Sequence, residues 1–146
     1  MAKLIFVNLP VADVERSVDF YRALGFEKNE QFSQAGQAAC MVWSDAIHVM
    51  LLSHDFFKGF LPAGRAIADS GKTTETLICL SFDSRDAVDR VTAAAAKAGG
   101  TADVRDPQDM GFMYGRAFAD PDGHIYEPMY MDMAAAAEAM AEPAAA

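Results

Sequence analysis

The feature that most constrains the fold of this chain is a strand, helix and glycine pattern that occurs twice. In the first copy an apolar run leads to Asp13, an amphipathic helix pattern follows, and the pattern stops at Gly25. In the second copy an apolar run leads to Asp83, and the helix pattern stops at Gly99. An acidic residue suits the N-cap of a helix and a glycine suits its C-cap. The chain is therefore predicted to be an internal repeat of two similar modules.

Three strand-like runs follow each predicted helix, with turn-forming residues between them. They span residues 26–32, 38–43 and 47–53 in the first half, and residues 101–105, 112–119 and 124–131 in the second half. Each module is therefore predicted to have the order β-α-β-β-β. Because the strands come in consecutive hairpins, this order favours an α+β fold with mainly antiparallel sheets over a doubly wound parallel sheet.

At 146 residues the chain is expected to form one domain overall. Its parts are a first module over residues 1–53, a connection over 54–73, a second module over 74–132 and an alanine-rich tail over 133–146. The connection holds an aromatic cluster followed by glycines, so it is predicted either to cover a cavity as a lid or to pack on the core as a short helix. The tail is predicted to be a frayed helix or disordered, without chemistry.

The strongest pointer to a functional site is a carboxylate after a tight turn. Asp120 and Pro121 favour the first two positions of that turn, and Gly123 can take a positive φ where the chain re-enters the sheet. Glu127 then lies within a run of aromatic, β-branched and thioether side chains. A carboxylate in such a run needs a cation, a metal or a hydrogen-bond donor, or it must line a wet cavity.

Charge and composition exclude several classes of function. A net charge of −9 argues against nucleic-acid binding, which needs clustered Lys and Arg. No apolar run approaches the ~20 residues that span a membrane, and no export signal is expected at the N-terminus. With only Cys40 and Cys79 a disulfide scaffold is excluded. Both thiols are expected to be buried and inert, in a cytoplasmic protein.

Two motifs resemble a known superfamily. Residues 13–26 read Asp-Val-Glu-Arg-Ser-Val-Asp-Phe-Tyr-Arg-Ala-Leu-Gly-Phe, and residues 120–127 read Asp-Pro-Asp-Gly-x3-Glu. Over residues 4–132 the chain resembles the vicinal oxygen chelate superfamily of glyoxalase I, extradiol dioxygenases and bleomycin- and fosfomycin-resistance proteins. Within it, the chain is similar to glyoxalase-like proteins described as predicted lactoylglutathione lyases. The resemblance implies two βαβββ modules with curved mixed sheets around a cavity, and a homodimer that often completes that cavity.

The resemblance also implies four positions for a divalent metal, one on each of four strands. By register they fall on Phe6, on Met50 or His48, on Leu77 and on Glu127. Phenylalanine and leucine cannot bind a hard cation, and methionine suits soft copper. Only His48 and Glu127 remain as weak metal candidates, whereas three protein ligands are usual for catalytic zinc. No full metal site and no other cofactor are therefore expected.

Glu127 and His48 are the predicted catalytic residues. If they lie close together, one would act as a base and the other would orient it. Alternatively, Glu127 would pair with Arg116 or Arg22, and His48 would be an ordinary core or rim residue. Asn8 is predicted either to contact a ligand or to tie neighbouring strands.

Further side chains are predicted to line the cavity. Tyr114 and Arg116 share one strand face and would bind an anionic or carbonyl group, unless Arg116 forms a surface ion pair. His124 has the opposite side-chain parity to Glu127 and is expected outside the cavity, and His54 is expected at its rim. The apolar wall is predicted to consist of Phe6, Met41, Trp43, Met50, Leu77 and Met113.

Three functions follow from these observations. The first is a metal-free binder of an aromatic or amphipathic small molecule in the cavity between the sheets. The second is a lyase or isomerase of the lactoylglutathione lyase type, which would use Glu127 on a vicinal-oxygen substrate. The third is a dimeric interaction module with a vestigial cavity. Neither a nucleic acid nor a membrane is an expected partner.

Overall fold

The first module has the predicted order of elements. In the computed structural model, which describes residues 1–141, these elements are β1 (Ile5–Val11), α1 (Val14–Ala23), β2 (Glu27–Gln34), β3 (Ala38–Val42) and β4 (Ile47–Ser53). They form one sheet in the order β1-β4-β3-β2. β1 is parallel to β4, and the other neighbours are antiparallel.

The second module repeats this order with interrupted strands. After the connecting helix α2 (His54–Lys58) come β5 (Leu77–Ser81), α3 (Arg85–Lys97), β6 (Thr101–Ala102), β7 (Gln108–Asp109), β8 (Met113–Gly115), β9 (Phe118–Ala119), β10 (Ile125–Met131) and α4 (Met133–Ala141). β10 is central, with β5 parallel on one side and β8 and β9 antiparallel on the other. The predicted strand over 112–119 is split opposite Pro128, which has no N–H to donate to the ladder.

The structure confirms the predicted α+β fold of two βαβββ modules with curled sheets. The predicted tail is helical as far as Ala141, whereas residues 142–146, with Glu142 and Pro143, lie outside the described residues. Within residues 1–141 no helix is both long and apolar enough to cross a membrane.

The helix caps follow the predicted chemistry, with one correction. Asp13 caps α1 and accepts from the Arg16 N–H. The prediction of Asp83 as the second cap is wrong by one residue, because the Ser84 hydroxyl accepts from the Ala87 N–H at 3.0 Å. Serine and aspartate are equally good caps, so the sequence did not separate them.

One shared core joins the two modules through the helix-covered faces of their sheets. Phe20 of α1 meets Phe118, with ring centroids 6.3 Å apart, and Phe118 stacks on Tyr126 at 5.4 Å. Val91 and Ala95 of α3 belong to the same buried cluster. Each sheet therefore turns its other face away from this core, and these two outward faces are called the open faces below.

The Asp-Pro-Asp-Gly turn ties the second module to the first. Asp122 accepts from the Ala12 N–H at 2.8 Å, and His124 Nε2 lies 2.7 Å from the Pro10 carbonyl oxygen. Gly123 has φ +94°, and a Cβ there would lie 2.5 Å from the Ser70 carbonyl oxygen. The turn is therefore the one predicted, and its glycine is also required by the close approach of the connection.

Candidate functional site

Glu127 lies on the open face of the second sheet, where Arg105 neutralises it. Its neighbours Tyr126 and Pro128 are fully buried, so the alternation of a strand directs Glu127 to the opposite face. Its Oε2 accepts from Arg105 Nη2 at 2.6 Å and from Nε at 3.2 Å. The carboxylate in an apolar strand thus has the cation that its setting requires. Oε1 accepts no hydrogen bond from residues 1–141.

The predicted pairing of Glu127 with Arg22 or Arg116 is wrong. Arg22 lies 3.8 Å from Glu30, and Arg116 pairs with Asp89 and Asp103. Arg105 was missed because it follows the short strand β6 in an irregular segment. Local sequence periodicity does not predict which strand such a segment lies beside. The signal for a charged partner of Glu127 was an arginine at the end of the predicted strand over residues 101–105.

Cys79 lies beside this ion pair. It is the register partner of Glu127 on β5, and it is exposed, so the prediction of a buried thiol is wrong. Partial desolvation, and then the negative charge of Glu127, raise the pKa of this thiol, while Arg105 opposes the shift. A raised pKa leaves less thiolate at neutral pH and does not favour a nucleophile. Leu77, two residues earlier, is also exposed.

His48 lies on the open face of the first sheet, away from Glu127. It is 9% exposed and stacks on Phe6 with ring centroids 4.4 Å apart, and its Nδ1 lies 3.3 Å from the Ile5 carbonyl oxygen. Within residues 1–141 no hydrogen bond or ion pair joins His48 to Glu127. The predicted pair is therefore not assembled within one chain, and the catalytic roles of both residues stay predictions.

Tyr114 and Arg116 lie on the helix-covered side of the second sheet. The Tyr114 hydroxyl donates to Asp89 of α3 at 2.6 Å. Arg116 reaches Asp89 at 3.0 Å and Asp103 at 2.7 Å. The Tyr114 hydroxyl, and then Arg116, lower the pKa of Asp89, and Arg116 lowers the pKa of Asp103. Arg116 therefore forms an ion pair, which was the predicted alternative to ligand binding. Neither Tyr114 nor Arg116 shares a face with Glu127.

Two of the predicted apolar wall residues belong to the core. Trp43 packs between Phe26 and Phe82, with ring centroids 4.9 and 5.3 Å apart, and Met41 is fully buried in the shared cluster. Met113 is the register partner of Met131 on β10. Because Met131 lies four residues after Glu127 on the same strand, both methionines lie on the face of Glu127.

The connection covers part of the open face of the first sheet and borders a half-open cavity there. This cavity has a volume of about 420 Å³. Asn8, Met50 and Leu52 of the sheet form its floor, and the aromatic cluster of the connection forms its roof. The roof residues are Phe56, Phe57, Phe60 and Leu61. We call this space the aromatic cavity, and it combines two predicted ligand residues, Asn8 and Met50, with the predicted lid.

A second cavity of about 300 Å³ adjoins the aromatic cavity. The two cavities share Asn8, Phe57 and Leu61 in their linings. The second one extends between β1, the connection and the Asp-Pro-Asp-Gly turn, and it includes polar side chains such as Arg65 and Thr74. His124, expected outside the cavity, lies in this lining, whereas His54 begins α2 and is exposed. We call this space the polar cavity.

The donor set does not fit the divalent ion of the superfamily's metal-using members. Among residues 1–141, no three His, Cys, Asp or Glu side chains come together in a group that would hold a metal. Glu127 is engaged by Arg105, and His48 is stacked on Phe6 on the other sheet. The guanidinium of Arg105 thus neutralises Glu127, which is the one carboxylate at an expected metal-ligand position.

Comparisons with known proteins agree with the fold. Residues 3–44 match the family of bleomycin resistance protein-like N-terminal domains. A hypothetical protein from S. aureus is similar in structure, with 26% identity, a TM-score of 0.73, and coverage of 89% of this chain and 95% of the other. None of the curated proteins matches the sequence.

Two further solved structures share the fold at lower identity. A glyoxalase/bleomycin resistance protein/dioxygenase family enzyme from Burkholderia phytofirmans has 18% identity and a TM-score of 0.69, covering 89% of this chain and 99% of the other. A lactoylglutathione lyase from Agrobacterium tumefaciens has 16% identity and a TM-score of 0.63, covering 91% and 96%. Residues 3–44 therefore match the bleomycin resistance protein-like N-terminal family, and the chain as a whole shares the two-module fold of these solved structures.

Proposed function

We propose that this protein binds a small aromatic or amphipathic molecule in the aromatic cavity, without a full metal site. The observation that carries the proposal is the composition of that cavity. Its floor is formed by Met50 and Leu52, and three phenylalanines of the connection form its roof. Thioether and aromatic side chains adapt to flat apolar ligands. The volume of about 420 Å³ lies in the range of small-molecule sites.

Asn8 supplies a polar contact at the base of this cavity. Its side chain is exposed and makes no hydrogen bond within residues 1–141, so the predicted tie between strands is not formed and the amide is open to a ligand. Burial of an aromatic body of about 150–250 Å² contributes roughly 4–6 kcal/mol at about 25 cal/mol per Å², before the loss of ligand freedom is subtracted. The Kd would therefore be no lower than roughly 40 μM to 1 mM.

A thermal-shift series with a neutral aromatic probe, 2-naphthamide, tests this function. At a free concentration ten times its Kd, a ligand that binds the folded state alone raises the free energy of unfolding by about 1.4 kcal/mol. This corresponds to a Tm rise of roughly 4 °C. Met50→Trp should fill the cavity and abolish the rise. Met110→Trp, at an exposed loop residue, is the matched control. An equal rise in both variants would overturn the assigned site, and no rise in the wild type would favour the interaction module.

Elemental analysis separates the binder from a metal-dependent lyase or isomerase. The proposal expects no stoichiometric divalent ion in the purified protein. One tightly held ion per chain, lost in Glu127→Ala, would instead support the lyase, with Glu127 as ligand.

We further propose a homodimer in the cytoplasm. Phe6 and Leu77 are 44% and 55% exposed on the two open faces, and a partner chain would cover them. Cys40 and Cys79 are free thiols, as a reducing compartment favours. Light scattering at micromolar concentration should give twice the chain mass of 15.7 kDa, and a Leu77→Glu variant should shift it toward the monomer.

A further inference from the structure

The chemical class of the ligand follows from the charges around the polar cavity. This cavity shares Asn8, Phe57 and Leu61 with the aromatic cavity, so the two spaces lie side by side. Arg65 contributes the guanidinium of its lining. The inference rests on the proposed function and names the class of molecule that this function takes.

Arg65 differs from most arginines of this acidic chain. Five of the others form ion pairs with carboxylates, namely Arg16, Arg22, Arg85, Arg105 and Arg116. Within residues 1–141, Arg65 and Arg90 form none. Arg90 is exposed on α3, outside the linings of both cavities. Arg65 thus lines the polar cavity, and its N–H donors form no ion pair with a carboxylate of the described chain.

The remaining polar groups of the lining set the charge balance. Thr74 and Thr76 add hydroxyls that make no hydrogen bond within residues 1–141, while Glu75 is the carboxylate of the lining and forms no ion pair with Arg65. Screening over about 8–10 Å reduces the influence of the distant acidic residues on a bound group. The lining thus holds one guanidinium, Arg65, and one carboxylate, Glu75, together with the His124 ring; Arg65 would attract a bound anion and Glu75 would oppose it.

We propose that the natural ligand is an amphipathic organic anion whose aromatic body lies in the aromatic cavity and whose carboxylate is bound by Arg65. The planar guanidinium presents two parallel N–H donors to a carboxylate, and this is the strongest hydrogen-bonded contact that the lining offers. Because the overall charge of −9 disfavours anions at long range, such a ligand requires this local cation.

Two isosteric probes test the proposal, 2-naphthoate and its neutral amide, 2-naphthamide. Calorimetric titration of the full chain at an ionic strength of about 0.1 M, where the Debye length is about 10 Å, should give tighter binding of the naphthoate. Because Arg65 is exposed, Arg65→Gln should weaken naphthoate binding roughly 3-fold to 5-fold and leave naphthamide within about 2-fold. Glu75→Gln should tighten naphthoate binding, and Arg90→Gln, the matched control, should change neither probe.

Each outcome supports or overturns the inference. Naphthamide binding that is lost in Met50→Trp, together with naphthoate binding indifferent to Arg65→Gln, would overturn the anion class and leave the aromatic site standing. Absence of binding by both probes would overturn the proposed function and the inference together. Circular dichroism of the Arg65→Gln and Glu75→Gln variants checks folding, which substitutions at two exposed residues should not disturb.

Discussion

Two buried tyrosines in the shared core offer a sharp test of its energetics. The Tyr21 hydroxyl donates to Asp120 Oδ2 at 2.8 Å, and burial raises the pKa of that phenol well above its usual value. Tyr126 lies against it, with ring centroids 5.8 Å apart, and its buried hydroxyl faces the Tyr21 hydroxyl without forming a hydrogen bond of good geometry among residues 1–141. Removal of the two hydroxyls should therefore have opposite consequences.

The expected magnitudes follow from what each hydroxyl leaves behind. Tyr21→Phe leaves Asp120 Oδ2 without its donor in a site that is 3% exposed, and loss of a hydrogen bond to a charged group costs about 1.5–3 kcal/mol. The Tm should fall by roughly 5–10 °C. Tyr126→Phe removes a desolvated hydroxyl that makes no hydrogen bond of good geometry, so the free energy of unfolding should stay unchanged or rise by up to about 1 kcal/mol.

Urea unfolding followed by circular dichroism measures both variants against the wild type. Equal slopes m would show that the comparison concerns stability alone. If Tyr126→Phe costs as much as Tyr21→Phe, its hydroxyl has a partner in solution and the reasoning fails. A loss below about 0.5 kcal/mol in Tyr21→Phe would refute the importance of the bond to Asp120.

Three further predictions follow from the same structure. Burial raises the pKa of Asp120, so the folded state binds this proton more tightly than the unfolded state does. The stability it contributes is therefore greatest at acid pH and declines as pH rises through the folded pKa, and Asp120→Asn should lack that decline in a comparison of unfolding free energies against pH. Gly123→Ala should cost about 2–4 kcal/mol in urea unfolding, because of the positive φ and the contact with the Ser70 carbonyl, whereas Gly36→Ala, with φ +75° and no atom within 4 Å, should cost about 1 kcal/mol. Arg85 holds the pKa of Asp109 at about 2, and an NMR titration of Arg85→Ala should show that pKa rising toward its ordinary value of 3.8; an unchanged pKa would mean that the Gly111 N–H alone sustains the shift.

The sequence by itself determined the repeat and most of its elements. Helix caps, turns and strand alternation are local, so Asp13, Gly25 and the Asp-Pro-Asp-Gly turn stand where they were predicted. The unusual setting of Glu127 was also visible, since a carboxylate in an apolar strand needs a partner. The match of residues 3–44 agrees with the motif found there.

Only the tertiary structure decided which face of each sheet is covered and which is open. Alternation shows that Tyr114 and Arg116 share a face, but it does not say that α3 covers that face. For the same reason, alternation did not place Trp43 in the core or Cys79 in the open. Arg105 reaches Glu127 across 22 positions of the chain, through an irregular segment that no local periodicity describes. Contacts of this kind depend on how the two modules pack together, and this packing is set by the shape of the whole core rather than by any one segment.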